Sequence, residues 1–426
     1  MTTTVEPTFD VSATLAAGDT APARPMPPPP AYGARGRATR WALSRIVRKV
    51  PVSVLLPGGA HLGRSRTDDP EIMVRRPEAF FARVGLSPMI GLGEAYMAAD
   101  WEQAPGTDLA DALTPFAARL TDLVPPAFYR LRHLVLPQLH AGEHQTVERS
   151  REHIHRHYDL SNEMFALFLD PTLSYSSAVF DRLEPAPTQG DHEAAQLAKI
   201  DAVLDAAAVG PGTRLLEIGT GWGSLAIRAA ERGATVTTLT LSAQQAQLAR
   251  RRIADAGVAD RVDVVLRDYR DEHGMYDAVV SVEMIEAVGE KFWPAYFAKI
   301  DEVLAPGGRV AVQAILLEHH RMLATRNTYG WIQKYIFPGG LLPSAEAISS
   351  VLAEHTTLRV THQQPIGAHY AHTLRLWRER FVENWPAVQA LGFDDTFRRM
   401  WEFYLAYCEA GFRSGYLDDA IFTITR

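Results

Sequence analysis

The alternation of helical and β-branched segments between His192 and Leu316 constrains this chain more than any other feature. His192 to Ala208 places Leu197, Ile200 and Leu204 on one helical face, and Pro211-Gly212 breaks the run. Short apolar stretches follow at Arg214 to Ile218, Thr235 to Leu241, Val262 to Leu266, Tyr276 to Val282 and Arg309 to Leu316. Helical patterns at Leu225 to Arg232, Ala243 to Ala256 and Phe292 to Leu304 separate them. Such alternation predicts an α/β fold with a parallel sheet covered on both faces. Right-handed crossovers then bring ligands to the carboxyl ends of the strands.

The sharpest motif, Leu215-Leu216-Glu217-Ile218-Gly219-Thr220-Gly221-Trp222-Gly223-Ser224, sits where the first of these strands turns into a helix. Gly219, Gly221 and Gly223 permit a tight turn and close approach of backbone to a ligand. A glycine-rich turn alone is weak evidence, because dinucleotide folds use one too. The spacing here is G-x-G-x-G rather than G-x-G-x-x-G, and Glu217 stands just before it. In both respects it resembles class I S-adenosylmethionine methyltransferases, where an acid at this place lies near the methionine amino group. Thr240 and Gln245 close the second strand without the usual ribose-binding acid, and either can hydrogen-bond instead. Ser242 serves equally as an N-cap of the next helix. Asp268 can accept from an adenine amino group, and Tyr269 can cover the ring or simply pack.

Residues 1–34, with Pro25 and Pro27 to Pro30, read as a disordered Pro-rich tail. Residues 35–140 read as a smaller, mainly helical N-terminal domain for lipid contact or oligomerisation, and 141–150 as a linker. The catalytic domain is expected over 151–426. Ala38 to Val50 sets Arg40, Arg45, Arg48 and Lys49 around Trp41, Leu43, Ile46 and Val47, a basic amphipathic pattern. The 43 basic and 50 acidic residues give a formal charge of -7, which argues against nucleic acid as a partner. The single cysteine, Cys408, excludes an internal disulfide. No apolar run is long enough to span a bilayer, and no signal peptide is evident. His153, His155 and His157 lack a carboxylate at metal spacing, so no metal is expected.

Several further motifs carry a specific resemblance: His157-Tyr158-Asp159-Leu160-Ser161-Asn162, Leu173-Ser174-Tyr175-Ser176-Ser177-Ala178, Ser281 to Gly289, Lys334-Tyr335-Ile336-Phe337-Pro338 and Gly367-Ala368-His369-Tyr370. With the glycine-rich turn, they resemble the cyclopropane fatty acid synthase family, including actinobacterial methylene-fatty-acid synthases. The likeness covers nearly everything after the tail. It implies a class I, Rossmann-like methyltransferase that takes a methyl group from S-adenosylmethionine and adds it to the cis double bond of a phospholipid acyl chain. It implies a cytoplasmic enzyme docked peripherally on the inner face of a membrane. It leaves room for a homodimer and for a reductase partner that would saturate a methylene branch.

The resemblance also implies roles. Tyr158, Tyr175 and Ser176 would close over the cofactor, and Phe337 would line the acyl channel. Glu286 aligns with the glutamate that holds a bicarbonate ion, the family's base. Tyr370 aligns with its tyrosine partner, and Ile315 with a residue lending a backbone contact. Three positions depart: Ser177 replaces a bicarbonate-contacting cysteine, Gln313 a histidine on strand five, and Ala287 a histidine after the key glutamate. Ser177 and Gln313 can still hydrogen-bond an anion. The altered shell leaves the product open between a cyclopropane and a methylene branch such as 10-methylene stearoyl from oleoyl, with the lean towards the methylene. A non-catalytic protein keeping a cofactor-binding fold is the reading from another class, and the intact Glu217 to Gly223 run and Glu286 speak against it.

Overall fold

The computed structural model describes residues 26–63, 66, 68–119 and 161–426. The tail up to residue 25, the expected linker, the three histidines and Tyr158 lie outside the described residues.

Helix α1 (Gly33–Val47) begins five residues earlier than its apolar pattern predicts and ends just before Pro51. It is followed by β1 (Ser53–Leu55), β2 (His61–Gly63) and β3 (Glu71–Val74), then α2 (Pro77–Leu86), α3 (Pro88–Met97), β4 (Trp101–Gln103) and α4 (Leu109–Ala118). Helix dominates, as expected, but the four short strands form a sheet in the order β2-β1-β3-β4 that the sequence reading did not foresee. Gly58 and Gly59, both at positive φ, make the turn that folds β2 back on β1.

The second half contains α5 (Asn162–Phe168), α6 (Gln189–Ala206), β5 (Arg214–Ile218), α7 (Ser224–Glu231), β6 (Thr235–Thr240), α8 (Ala243–Asp255), β7 (Val262–Leu266) and β8 (Tyr276–Val282). It continues through α9 (Ile285–Val288), α10 (Trp293–Val303), β9 (Leu304–Leu317), α11 (His319–Thr325), α12 (Trp331–Tyr335) and α13 (Ala345–His355). It closes with β10 (Arg359–Pro365), α14 (Gly367–Glu383), α15 (Trp385–Ala390), α16 (Asp395–Arg413) and β11 (Leu417–Thr425). The seven-stranded sheet has the order β10-β11-β9-β8-β5-β6-β7. Strand β5 runs parallel to both β6 and β8, whereas β11 is antiparallel to β9 and β10. The chain winds outward from β5 to β7 and returns at β8, so the strand order reverses between the parallel strands β5 and β8. Ligands of open α/β sheets sit at such a crevice. Ile218 pairs with Ser281 there, which sets the glycine-rich turn beside the segment after β8.

The N-terminal region is welded to the rest. Tyr96 and Trp101 pack on Phe403 of α16, with ring centroids 5.5 and 6.3 Å apart. Buried Arg378 on α14 pairs with Glu409 at 2.9 Å and with Asp108, the N-cap of α4, at 2.9 Å. Buried Glu94 on α3 accepts from Lys334 Nζ at 2.5 Å and Tyr335 Oη at 2.7 Å. That contact gives the Lys334-Tyr335 motif a physical purpose: it anchors α3 against α12.

Helices α2 and α3 meet across Gly91, where a methyl group would overlap the Arg83 carbonyl. The overlap is with backbone, so it cannot be relieved by a rotamer change. We expect Gly91→Ala to destabilise the protein by about 1–3 kcal/mol through overpacking, read as a lowered midpoint in thermal or urea unfolding.

Candidate active site

A cavity of about 1160 Å³ opens at the carboxyl ends of β5 and β8. One end is the glycine-rich turn. Gly219 and Gly221 have φ of 102° and 52°, conformations that L side chains rarely adopt, and a Cβ on Gly219 would press on Met284. Glu217 is buried, and its Oε2 has no hydrogen-bond partner. Burial raises its carboxyl to about 8, opposed by Thr238 and the Lys199 charge. A buried carboxyl group with one oxygen unpartnered at a cavity wall fits the ammonium of a methionine moiety. Thr240 and Gln245 are hydrogen-bonded to each other at 3.0 Å on the cavity wall. Asp268 and Tyr269 also line it, with Asp268 held by the Arg270 guanidinium at 2.8 Å and Tyr269 edge-on to Tyr296. Ser242 is the N-cap of α8, accepting from the Gln245 N–H.

Trp222, Tyr175 and Ser176 form the neighbouring wall. The Trp222 indole donates to Asn162 at 2.8 Å, and its ring packs on Phe165. The Tyr175 hydroxyl meets that of Tyr404 at 2.9 Å. The Ser176 hydroxyl accepts from buried Lys199 at 2.5 Å. Gly223 does not reach the cavity: at φ 90° it caps α7 and packs against Ala249.

Deeper in, Glu286 lies at the start of α9. Its Oε1 accepts from the Ile315 N–H at 2.6 Å, and its Oε2 is buried without a partner. Burial first, and the nearby Glu283 carboxylate second, raise it to about 8. Glu283, which the sequence reading quoted but gave no role, is the hub. Its Oε1 accepts from the Ser177 N–H at 2.9 Å and from Gln313 Nε2 at 2.8 Å. Its Oε2 accepts from the Tyr370 hydroxyl at 2.7 Å. Gln313 Nε2 donates also to Asp419, 2.8 Å away. Burial raises both Glu283 and Asp419, and Lys199 counters the shift at Glu283. Burial lowers Lys199, opposed most by Glu283.

These placements correct the expected anion shell. Ser177 and Gln313 do not line the cavity; the Ser177 hydroxyl turns to the Ala178 carbonyl at 3.0 Å, and its N–H and Gln313 serve Glu283 instead. Tyr370 and Ile315 line the cavity, but Tyr370 donates to Glu283 and Ile315 to Glu286. The donors that would hold a bicarbonate ion are spent on a carboxylate of the chain itself, so the residues present do not fit that ion. One signal could have revealed Glu283: an acid just after a buried strand, in the Ser281 to Gly289 segment where the departure at Ala287 was already visible.

The far end of the cavity is apolar. Trp331, Ile332, Phe337 and Phe403 line it, and so do Leu92, Gly93, Leu113 and Phe116 from α3 and α4. The region read as an accessory domain thus builds part of the wall. Met89 lines the cavity and is also exposed, so the space reaches the surface there.

A family model described as mycolic acid cyclopropane synthetase matches residues 145–422. This chain belongs to the mycolic acid cyclopropane synthase family. Tuberculostearic acid methyltransferase UfaA1 of Mycobacterium tuberculosis (strain ATCC 25618 / H37Rv) is 47% identical over 403 residues, 94% of each chain. The cyclopropane-fatty-acyl-phospholipid synthase of Escherichia coli (strain K12) is 34% identical over 353 residues, 81% of this chain and 85% of that one. Among solved structures of the family, mycolic acid cyclopropane synthase CmaA1 complexed with SAH and CTAB superposes with a TM-score of 0.58 at 32% identity. That match covers 65% of this chain and 98% of CmaA1. The cyclopropane synthase MmaA2 from M. tuberculosis gives 0.59 over the same share. The fold is that of a class I methyltransferase, and the cofactor of the family is S-adenosylmethionine.

At pH 7 a carboxyl group raised to about 8 is mostly protonated before the cofactor binds. An ammonium group beside it pulls that value down and releases a proton. Cofactor affinity should therefore rise between about pH 6 and 7.5, below the range in which the ligand's own amino group loses its charge. Calorimetry in buffers of differing ionisation enthalpy reads the released proton. Glu217→Gln should weaken cofactor binding about 10- to 100-fold and abolish the pH dependence, leaving the unfolding midpoint unchanged or raised.

Proposed function

We propose that this protein transfers a methyl group from S-adenosylmethionine to the cis double bond of an unsaturated acyl chain of a membrane phospholipid. The observation that carries the reading is the cavity itself: a polar end built around Glu217 and an apolar end built by Phe337, Phe403 and Leu92 meet at Glu283 and Glu286. The bound sulfonium supplies an electrophilic methyl. Glu217, Thr240, Gln245, Asp268 and Tyr269 would hold and orient it. The apolar wall positions the alkene and keeps out water, which would trap a cation. The carboxylates of the centre stabilise positive charge as it develops.

Of the two products, we favour the methylene branch. The relative at 47% identity is named for tuberculostearic acid, an acid with a methyl branch and no ring, while the ring-forming phospholipid synthase stands at 34%. The test is to give the purified protein S-adenosylmethionine and dioleoyl phospholipid vesicles and to fragment the extracted chains by mass spectrometry. We expect S-adenosylhomocysteine and a chain heavier by one CH2 that carries an exocyclic double bond. A cyclopropane as the sole product would overturn the choice between products, and absence of any lipid-dependent turnover would overturn the reading as a whole.

Delivery of such a substrate calls for contact with a bilayer. No helix among the described residues is long and apolar enough to cross one. Helix α1 offers a peripheral contact: residues 33–50 contain no acid, and Arg35, Arg37, Arg40, Arg45, Arg48 and Lys49 are exposed. Trp41 is 60% exposed beneath the Arg45 guanidinium. Exposed Leu86 and Met89 sit at the α2–α3 junction, on the side where the cavity reaches the surface. Each basic residue near an anionic surface contributes about 1 kcal/mol, so Arg45, Arg48 and Lys49→Glu together should lower co-sedimentation with anionic vesicles by at least about 10-fold. Unchanged co-sedimentation would remove α1 from the contact.

A further inference from the structure

The mechanism outlined above needs a group to take up the proton that leaves the alkylated chain, and the carboxylates at the centre of the cavity differ sharply in how they are held. Glu286 receives one N–H. Glu283 receives three donors from three separate elements: Ser177 on the loop after α5, Gln313 on β9 and Tyr370 on α14. These three residues are among those that the family resemblance assigns to an anion, together with Glu286 and Ile315. The side chain of Glu283 thus lies where that anion's donors converge, and it faces the cavity.

The backbone gives an independent sign. Glu283 has a φ of 50°, in the left-handed region that a side chain disfavours. Glycine would be relaxed there, yet the chain carries a carboxylate. Strain of this kind persists where the surroundings over-determine it, and it concentrates at functional sites.

We infer that the Glu283 carboxylate is the built-in proton acceptor of this site and fills the place of a bound bicarbonate ion. The inference rests on the methyl-transfer reading above. The alkene π pair forms the new C–C bond to the methyl carbon as the S–CH3 bond breaks and leaves its electrons on sulfur. A hydride shift carries the positive centre to the carbon bearing the new methyl. A C–H bond of that methyl then breaks. Its electron pair forms the exocyclic C=C, and the proton passes to a Glu283 oxygen, which becomes the neutral acid. Oε2 accepts from Tyr370 and Oε1 from Ser177 and Gln313, and the Asp419 carboxyl is also hydrogen-bonded to Glu283. No co-reactant beyond the lipid and the methyl donor is required. A second anion has no place: Ser177 N–H, Gln313 and Tyr370 are already engaged, and it would meet the Glu283 charge at once.

The test compares bicarbonate dependence across variants. The wild-type protein, assayed with dioleoyl phospholipid vesicles in CO2-free buffer, should lose less than about 2-fold in turnover relative to buffer with added bicarbonate. Glu283→Gln should lower turnover at least about 100-fold, the scale of a lost general base, with cofactor affinity held within about 3-fold by calorimetry. Glu283→Gly relaxes the backbone and empties the anion pocket. It should bind 13C-labelled bicarbonate by NMR where the wild type does not, and it should regain at least about 10-fold in turnover when bicarbonate is added. Three results would each overturn the inference. The first is wild-type turnover that collapses without bicarbonate. The second is a Glu283→Gln protein that turns over normally while Glu286→Gln does not. The third is a Glu283→Gly protein indifferent to bicarbonate in both binding and turnover. Failure of the underlying reading looks different: the wild type would then make no S-adenosylhomocysteine from any oleoyl lipid, with or without bicarbonate.

Discussion

A carboxylate clamped in a dry place is the constraint around which this molecule is arranged. Glu283 ties the ends of β8 and β9 to α14 and to the loop after α5 through hydrogen bonds of 2.7 to 2.9 Å. A charge taken out of water is tolerable only with such a full set of donors. Those donors fix the positions of Ser177, Gln313 and Tyr370. The same clamp holds Glu283 at a φ that costs on the order of 1–2 kcal/mol for a residue with a Cβ. The fold bears that cost at one point and gains a carboxylate whose place in the cavity does not depend on rotamer choice.

Around that point the electrostatics are lopsided by construction. Glu217, Glu283 and Glu286 converge on the cavity, Asp419 lies behind Gln313, and the Lys199 charge acts on Glu217, Glu283 and Asp419. Burial pushes the carboxyl groups up and Lys199 down, so part of the charge is suppressed before the cofactor binds. Adjacent carboxylates cannot all ionise, and the donors decide which one does. Burial raises both Glu283 and Glu286; three donors oppose the shift at Glu283, whereas one N–H opposes it at Glu286, which stands at about 8. A sulfonium, and any cation that follows it, would enter a region short of positive charge.

Much of this was readable in the residues. The strands at 214–218 and 276–282 fall on their apolar runs because parallel strands buried on both faces leave a near-continuous apolar signature, and the edge strand at 262–266 falls on its valine-rich run. Glu217 and the glycines at 219 and 221 line the cavity where their spacing set them, and glycine adopts those φ values at no steric cost. The N-terminal sheet was missed, since strands of three or four residues carry too little alternation to separate from a loop. Gly223 was read as a ligand contact because it shares a motif with two glycines that line the cavity, whereas it packs against Ala249. Glu283 was missed for a deeper reason. Its importance lies in Ser177, Gln313 and Tyr370, which lie 106, 30 and 87 residues away in sequence and meet only once the sheet has formed.

The N-terminal helices belong to the same logic. A cation formed from an alkene survives only where water is absent, so the wall of the cavity is as much a part of the chemistry as the carboxylates. Strands β5, β8 and β9 supply the polar end but leave the opposite side open. Helices α3 and α4 cover it with Leu92, Leu113 and Phe116. The pairs Glu94–Lys334 and Arg378–Asp108 hold those helices against α12 and α14. A break in either pair would open a seam beside the acyl end of the cavity, far from the glycine-rich turn and from Glu217. Loss of the N-terminal region would therefore damage proton and water control before it damaged cofactor binding, which follows from where each set of residues stands.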